Sequence, residues 1–217
     1  MLIIKSVFYR LKLIHIPLVL AILILHLIHL TSFSQNIDIE LLRKINLHRN
    51  QNLDNTFRFV TNTRGFISTG VIAGMTTYTL IKKDSSTFRK TLTVASSLIV
   101  TSAITVILKY SVNRNRPYIT YPEIEKLSSG GSASFPSGHT SEAFSTATAL
   151  SIEYPKWYVI APAMTWASAV GYSRMHLGVH YPSDVIAGAV IGSGSAFLCH
   201  WLNKKIQFKR KNVAPTD

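Results

Sequence analysis

The sequence is poor in cysteine and in negative charge, and both shortages narrow its possible classes. Its single cysteine, Cys199, excludes an internal disulfide and a cysteine-based metal site. Asp and Glu number 10 against 23 Lys and Arg, so the formal net charge is +13 at pH 7. Charged residues are nevertheless only 15% of the 217 residues, while hydrophobic residues are 47%. This balance favours one compact membrane domain with a polar working face and an anionic partner.

The positive charge lies in short clusters beside apolar segments. An aromatic-interleaved basic stripe, which is typical of nucleic-acid binding, does not occur. We therefore expect the charge to set membrane topology and exclude nucleic acid as a partner. The clusters are Lys5–Lys12, Lys82–Lys90 and Lys204–Lys211.

The longest apolar run, Leu13–Leu30, allows two interpretations. Small residues at Ser32 and Ser34 resemble a signal-peptidase site, with cleavage before Gln35. The run is also long enough to remain as a membrane helix. Both interpretations put the following segment outside the cytosol. We expect three regions: 1–34 as signal peptide or first transmembrane helix, 35–206 as a helical-bundle domain, and 207–217 as a basic tail.

Five further apolar stretches predict an all-α membrane bundle of six helices. Several are near the minimum length that spans a bilayer, so a soluble helical bundle behind a signal peptide is the alternative. The positive-inside rule places the loops 111–136 and 173–183 together on the outer face. Small residues at four-residue spacing in the last stretch, Gly188, Gly192 and Ala196, predict close helix packing. The stretches are Phe59–Ile81, Leu92–Leu108, His139–Ile152, Trp157–Tyr172 and Asp184–Leu202.

The first outer loop begins with "KYSVNRNRP", which pairs two cations. Lys109 and Arg116 are seven residues apart, or two helical turns. Pro117 disfavours helical geometry at Arg116, so this arginine is expected just past the helix end. The two cations then converge at one membrane boundary. A snorkelling pair that flanks a membrane helix would show the same pattern.

The loop ends in "PSGH", directly before a run of small, helix-compatible residues. Ser137 and Gly138 offer an N-cap and unhindered backbone N–H groups, which together with the helix dipole make an anion site. His139 would lie beside a phosphate bound there. A simple capping role for the turn is the alternative.

The second outer loop reads "SRMHLGVHYPSD". Pro182 fits the first turn of the last helix, which lets Asp184 reach back to His180. A carboxylate bonded to one imidazole nitrogen leaves the other nitrogen free to attack. His176 and His180 also have the spacing of a helical zinc pair, but Gly178 and Pro182 argue against a continuous helix and no third ligand is evident.

Together the three motifs, K-x6-R-P, P-S-G-H and S-R-x5-H-x3-D, resemble in order and spacing the signatures of the type 2 phosphatidic acid phosphatase superfamily. They span roughly the C-terminal half of the chain. The resemblance implies a core like that of acid phosphatases and vanadium haloperoxidases. In the integral-membrane branch, the active site lies at the outer membrane–water boundary, and no cofactor is required.

The resemblance also implies a role for each matching residue. His180 attacks phosphorus to form a phosphohistidine, and Asp184 orients it. His139 protonates the leaving alkoxide and then activates water. Five residues hold the phosphoryl oxygens: Lys109, Arg116, Ser137, Gly138 and Arg174.

The expected function is hydrolysis of phosphate monoester or diphosphate groups on membrane lipids. Phosphatidic acid, phosphatidylglycerol phosphate, polyprenyl diphosphate and lipid A phosphates all fit, and in a bacterium the enzyme would lie in the inner membrane with its site facing outward. The alternatives are a secreted soluble acid phosphatase, a vanadium haloperoxidase that holds vanadate in the phosphate site, and a non-catalytic binder of anionic lipid headgroups.

Overall fold

The computed structural model describes residues 36–213, with side chains through residue 206. The chain divides into two compact units, Met1–Glu40 and Leu41–Asp217. The predicted signal peptide or first helix, 1–34, lies outside the described residues. Residues 36–40 are helical in the first unit. The second unit contains α1 (41–47), α2 (Asp54–Lys82), α3 (Ser85–Val112), α4 (Pro117–Thr120), α5 (Gly138–Glu153), α6 (Trp157–His176) and α7 (Pro182–Val213).

The predicted all-α class is confirmed: residues 36–213 contain no strand, and their regular structure consists of six helices, the single-turn α4 and a short 3-10 helix at Gln51–Leu53. Each of the five predicted stretches lies within a helix that is longer than its apolar part. The helices extend because backbone hydrogen bonding continues into polar residues until a local signal ends it. At the end of α3 that signal is Asn113, whose φ of 45° is left-handed, followed by Pro117.

Helix α5 lies at the centre of the bundle and packs against α2, α3, α6 and α7. Its closest neighbour is α7, as the small-residue spacing predicts. A Cβ atom added at Gly192 would lie 2.2 Å from the carbonyl oxygen of Ser141, and one at Gly188 would lie 2.7 Å from that of Ser137. Only glycine permits this approach.

Buried hydroxyl groups replace much of the usual aliphatic core. On α3 they recur every four residues and lead toward Lys109, and Asn203 of α7 donates to Thr93 Oγ1 over 2.8 Å. Hydroxyl and amide bonds between helices are a typical means of association where lipid surrounds a bundle. The hydroxyl residues on this face of α3 are Thr93, Ser97, Thr101 and Thr105.

The outer surfaces of the bundle are apolar. Ile99 and Ile107 on α3, and Val190 and Phe197 on α7, are each at least 60% exposed. The segments Ser85–Thr120 and Pro182–Ile206 each contain an 18-residue window that is apolar enough to cross a membrane, with mean hydropathies of 2.0 and 1.6 for the two windows. Extended exposed apolar surface is unusual for a soluble monomer and favours a membrane environment over the soluble bundle.

Candidate active site

One end of the bundle brings the three sequence motifs together. The last turn of α3, the first turn of α5, the end of α6 and the segment before α7 meet at a pocket of about 220 Å³. These helix ends lie on one side of the bundle because each connection between consecutive long helices reverses the direction of the chain. The pocket is lined by Lys109, Arg116, Ser129, Gly130, Gly131, Ser132, Gly138, His139, Arg174 and His180.

His180 is buried, and its two ring nitrogens have different neighbours. Nε2 lies 3.3 Å from Nη1 of Arg116, and Nδ1 lies 3.4 Å from Oδ2 of Asp184. A guanidinium group can only donate, so Nε2 is the acceptor and Nδ1 carries the proton. In this tautomer the lone pair of Nε2 accepts from Arg116, which lines the pocket, so attack by Nε2 requires this hydrogen bond to open.

His180 lies between α6 and α7, and its pKa is low. Burial lowers the pKa of His180 to about 4, although the hydrogen bond with Asp184 opposes the shift. The imidazole is therefore neutral at pH 7. A neutral ring with an oriented proton is what a nitrogen nucleophile requires.

Asp184 lies behind His180, in the first turn of α7 as predicted, and is fully buried. Its Oδ2 accepts from the hydroxyl of Ser134 at 2.5 Å and from the backbone N–H of Tyr181 at 3.0 Å. Its Oδ1 accepts from Nη1 of Arg114 at 2.8 Å. The carboxylate is thus fixed on both oxygens, and its charge is balanced by Arg114.

The three cations of the pocket are all bonded to one loop. Lys109 Nζ donates to the carbonyl of Ala133 at 2.5 Å, and Arg116 Nε donates to that of Ser132 at 2.8 Å. Arg174 Nη2 donates to the carbonyl of Ser129 at 3.3 Å. The segment 129–133, which we call the cradle loop, therefore holds the cations in place around the pocket.

Arg174 is almost fully buried. Its Nη1 donates to the hydroxyls of Thr61 at 2.9 Å and Ser128 at 3.3 Å. Its Nε is also buried and has no hydrogen-bond partner within the part of the chain that the structure describes. A buried donor without a partner is costly, and an anion in the pocket would relieve that cost.

The "PSGH" turn opens α5 as predicted, with Ser137 as its N-cap and Gly138 as its first residue. The hydroxyl of Ser137 does not cap the helix; it pairs with the hydroxyl of Thr140 at 2.8 Å, and Ser137 is not part of the pocket lining. Gly138 and His139 do line the pocket. An added Cβ at Gly138 would lie 3.9 Å from Cε of Lys109, so the helix N-terminus directly adjoins this cation.

His176 has a different environment from His180. Helix α6 ends at His176, and Gly178 adopts a left-handed φ of 69°, so the two histidines do not share a helix. The Nε2 of His176 lies 2.8 Å from Oδ1 of Asp54, and its ring packs on Phe57. The spacing that resembles a zinc pair instead positions a side chain that joins α6 to α2.

Two parts of the site were not predicted from the three motifs. Arg114 and Ser134 both bond Asp184, and the cradle loop bonds the three cations. Arg114 lies two residues before Arg116, in the stretch "KYSVNRNRP", but outside the K-x6-R-P motif positions. The small-residue run "SSGGS" at 128–132 was the available signal for a loop that approaches other groups closely.

The fold and pocket define a helical bundle with a three-cation site and a His–Asp pair at one end. A family model described as the PAP2 superfamily matches residues 90–208, more than half of the chain. The chain belongs to the PAP2 superfamily. The resemblance drawn from the three motifs is thereby confirmed at the level of the family.

Individual relatives agree with this placement. The chain is 33% identical over 86 residues to a lipid A 4'-phosphatase of Bacteroides thetaiotaomicron, covering 40% of this chain and 38% of the relative. It is 34% identical over 116 residues to an undecaprenyl-diphosphatase of Sulfolobus acidocaldarius, covering 51% and 56%. The chain thus spans less than two thirds of either relative. The crystal structure of a transmembrane PAP2 type phosphatidylglycerolphosphate phosphatase from Bacillus subtilis superposes with a TM-score of 0.65 at 26% identity, covering 80% of this chain and 87% of that one.

Proposed function

We propose that the protein is a phosphatase that removes phosphate from membrane lipids through a covalent phosphohistidine at His180. The observation that carries this proposal is the arrangement of the imidazole. Its Nε2 is next to Arg116, one of the three pocket cations, while its Nδ1–H points to the buried carboxylate of Asp184. The relatives named above, which are phosphatases of lipids, support the same class of reaction.

The pocket supplies the charge that phosphoryl transfer requires. Negative charge on the equatorial oxygens must be compensated, in many enzymes by Mg²⁺. Here Lys109, Arg116 and Arg174 surround the site, and the N-terminus of α5 adds oriented N–H groups. These groups provide the compensation, so we propose that the reaction is metal-independent.

The proposed reaction has two steps. His180 Nε2 forms a bond to phosphorus, the bond from phosphorus to the lipid oxygen breaks, and that oxygen leaves with the electron pair. His139 gives the leaving alkoxide a proton. His139 then takes a proton from water, whose oxygen attacks phosphorus and breaks the N–P bond, so phosphate is released and His180 is restored.

The decisive experiment measures phosphate release by the purified protein in EDTA. The substrates are phosphatidic acid, phosphatidylglycerol phosphate, polyprenyl diphosphate and lipid A. We expect turnover of at least one of them, loss of turnover in His180→Ala, and little change in His200→Ala, a control histidine that pairs with Glu153. If no phosphate is released from any substrate, the proposed phosphatase activity is refuted, and the alternative of a non-catalytic binder of lipid headgroups is favoured. The His139→Ala variant should retain an acid-labile phosphoryl label from a radiolabelled substrate. Loss of this label in the double variant His139→Ala/His180→Ala would identify the phosphohistidine at His180.

We propose that the protein resides in the inner membrane of a bacterial cell, with the pocket facing outward. The basic residues Lys82, Lys83, Lys90 and Lys156 lie at helix ends away from the pocket, as the positive-inside rule expects for the cytosolic side. Single cysteines at Lys126 and at Lys156, in a Cys199→Ser background, test this with an impermeant maleimide on cells whose outer barrier is open. Labelling at position 156 but not at position 126 would indicate the opposite orientation, with the pocket facing the cytosol. Release by carbonate washing would instead indicate the secreted soluble alternative.

A further inference from the structure

His139 lines two cavities. One is the three-cation pocket, and the other is a larger groove of about 490 Å³ along α2. Because His139 is common to both, a group that leaves the phosphorus and meets this imidazole comes to the mouth of the groove. The groove is lined by residues of α2, among them Arg64, Gly65, Phe66 and Gly70, and by His139 of α5.

The groove is built mainly of small and apolar residues, which suits a lipid, yet it contains a cation. Arg64 is its one permanently charged residue among those that the structure describes. The guanidinium forms an ion pair with Glu142 of α5, and the two side chains are 34% and 24% exposed. Glu142 is three residues after His139, one helical turn along the same face. Arg64 is thereby held close to the imidazole and remains open to the groove.

The position of Arg64 gives it a role that the three pocket cations do not have. Those cations line the pocket that would hold the phosphoryl group under attack, whereas Arg64 lines only the groove, which meets the pocket at His139. The leaving group of a phosphate monoester is an alcohol, which needs a proton and no cation. The leaving group of a diphosphate is a lipid phosphate, which carries negative charge that a cation stabilises.

We propose that Arg64 makes this site select lipid diphosphates over lipid monophosphates. The inference rests on the proposed phosphatase function. In the diphosphate reaction the N–P bond to His180 forms, the bond from the terminal phosphorus to the bridging oxygen breaks, and the electron pair stays on that oxygen. The lipid monophosphate departs into the groove as an anion beside Arg64. Water then releases the second phosphate from His180.

A matched pair of substrates tests the proposal, namely farnesyl diphosphate and farnesyl monophosphate, which share one lipid chain. The quantity measured is the ratio of their kcat/KM values, with phosphate release followed in detergent micelles containing EDTA. Arg64→Gln should lower the diphosphate-to-monophosphate ratio by about 10- to 100-fold, the usual effect of losing a charged hydrogen bond. Arg64→Lys, which keeps the charge, should retain most of the ratio.

Two further variants make the result specific. Glu142→Gln leaves Arg64 charged and unneutralised, so it should raise the ratio. Lys82→Gln removes the same charge from the far end of α2, about 27 Å along the helix at 1.5 Å per residue, and should leave the ratio unchanged. If Arg64→Gln does not fold, as judged by circular dichroism, the ratio measured for Glu142→Gln tests the proposal: a higher ratio than that of the wild type supports it, and an unchanged ratio refutes it.

The outcomes separate this inference from the proposed function. A wild-type protein that hydrolyses neither farnesyl substrate nor any lipid of the larger panel refutes the phosphatase itself. An active wild type whose ratio is the same in Arg64→Gln and Glu142→Gln refutes only the role of Arg64. Equal losses on both substrates in Arg64→Gln also overturn it, because they show a general structural contribution without selection.

Discussion

Arg114 bonds the oxygen of Asp184 that faces away from His180. Its Nη1 lies 2.8 Å from Oδ1, and the same nitrogen donates to the hydroxyl of Ser183 at 2.7 Å, while Oδ2 faces the imidazole. The cation therefore fixes the carboxylate without touching the pocket. We regard Arg114 as a positioning residue for the His–Asp pair.

Replacing Arg114 should change both the rate and its pH dependence. In Arg114→Gln the carboxylate loses one of its fixed partners, and we expect kcat to fall about 10-fold as the imidazole becomes less well placed. The carboxylate also loses its balancing cation, so protonated His180 is favoured and the acidic limb of the rate profile should move to higher pH. Arg114→Lys should restore much of the profile. A lower rate with an unmoved limb would assign Arg114 a purely structural role.

The pH profile of the wild type should reflect the buried imidazole. Protonated His180 cannot attack, so activity is lost as the pH falls through its pKa, which burial lowers to about 4. The first step, measured in a single turnover, should hold its rate well below pH 6.5, the ordinary value for histidine. Two substrates whose phosphate groups have different pKa values show whether the acidic limb is due to the enzyme or to the substrate. A limb that is due to the enzyme has the same pKa with both substrates. A shared limb near 6.5 would contradict this assignment.

The cradle loop offers a matched pair of glycines. An added Cβ at Gly130 would lie 2.8 Å from Nη1 of Arg116, whereas one at Gly131 meets nothing within 4 Å. Gly130→Ala should displace this guanidinium and lower kcat/KM about 10- to 100-fold, because small misplacements in a phosphoryl site are costly. Gly131→Ala should remain close to wild type. Similar activities for the two variants would show that Arg116 can shift without loss.

A larger side chain at Gly70 would occupy part of the groove along α2. Gly70 lines the groove and has nothing within 4 Å of an added Cβ. Gly70→Leu should therefore fold and lower kcat/KM for long-chain lipid phosphates, with little effect on a small soluble phosphate ester such as p-nitrophenyl phosphate. Gly74→Leu, equally open but outside the lining, is the control. Equal effects on long and short substrates would argue against a lipid in this groove.

Contact between α5 and α7 should limit the stability of the bundle. In Gly192→Ala the new methyl group would lie 2.2 Å from the carbonyl oxygen of Ser141, and overpacking of this kind costs about 1–3 kcal/mol. Gly194 is on the same helix with no neighbour within 4 Å, so Gly194→Ala should be neutral or gain up to about 1 kcal/mol in helix propensity. Thermal unfolding in detergent compares the two. A Tm for Gly192→Ala equal to that of Gly194→Ala would indicate that α7 moves outward freely.

The sequence predicted the parts of the site that depend on local chemistry. Pro182 placed Asp184 in the first turn of a helix, Pro117 placed Arg116 beyond α3, and "PSGH" marked the start of α5. Each of these inferences needs only a backbone preference within a few residues. The assignment of chemical roles to the histidines came from the family resemblance and stays a prediction.

What could not be predicted depends on the path of a loop. Ser134 reaches Asp184 across 50 positions of sequence, and the cradle loop meets cations from α3, from the segment before α4 and from α6. Glycine-rich segments have no hydrophobic periodicity, so the sequence does not indicate where they lie. The helix break at Gly178 was expected from the sequence, but the contact of His176 with Asp54 at the start of α2 was not.

The hydrogen bonds from the three cations to the cradle loop have a consequence for turnover. A phosphate that enters the pocket competes with carbonyl oxygens that are tethered beside the cations and therefore present at high effective concentration. A lipid substrate gains additional binding along the groove, but free inorganic phosphate does not. We expect released phosphate to be displaced readily as the loop re-forms its bonds, so that product inhibition is weak and the protein works in a phosphate-rich medium.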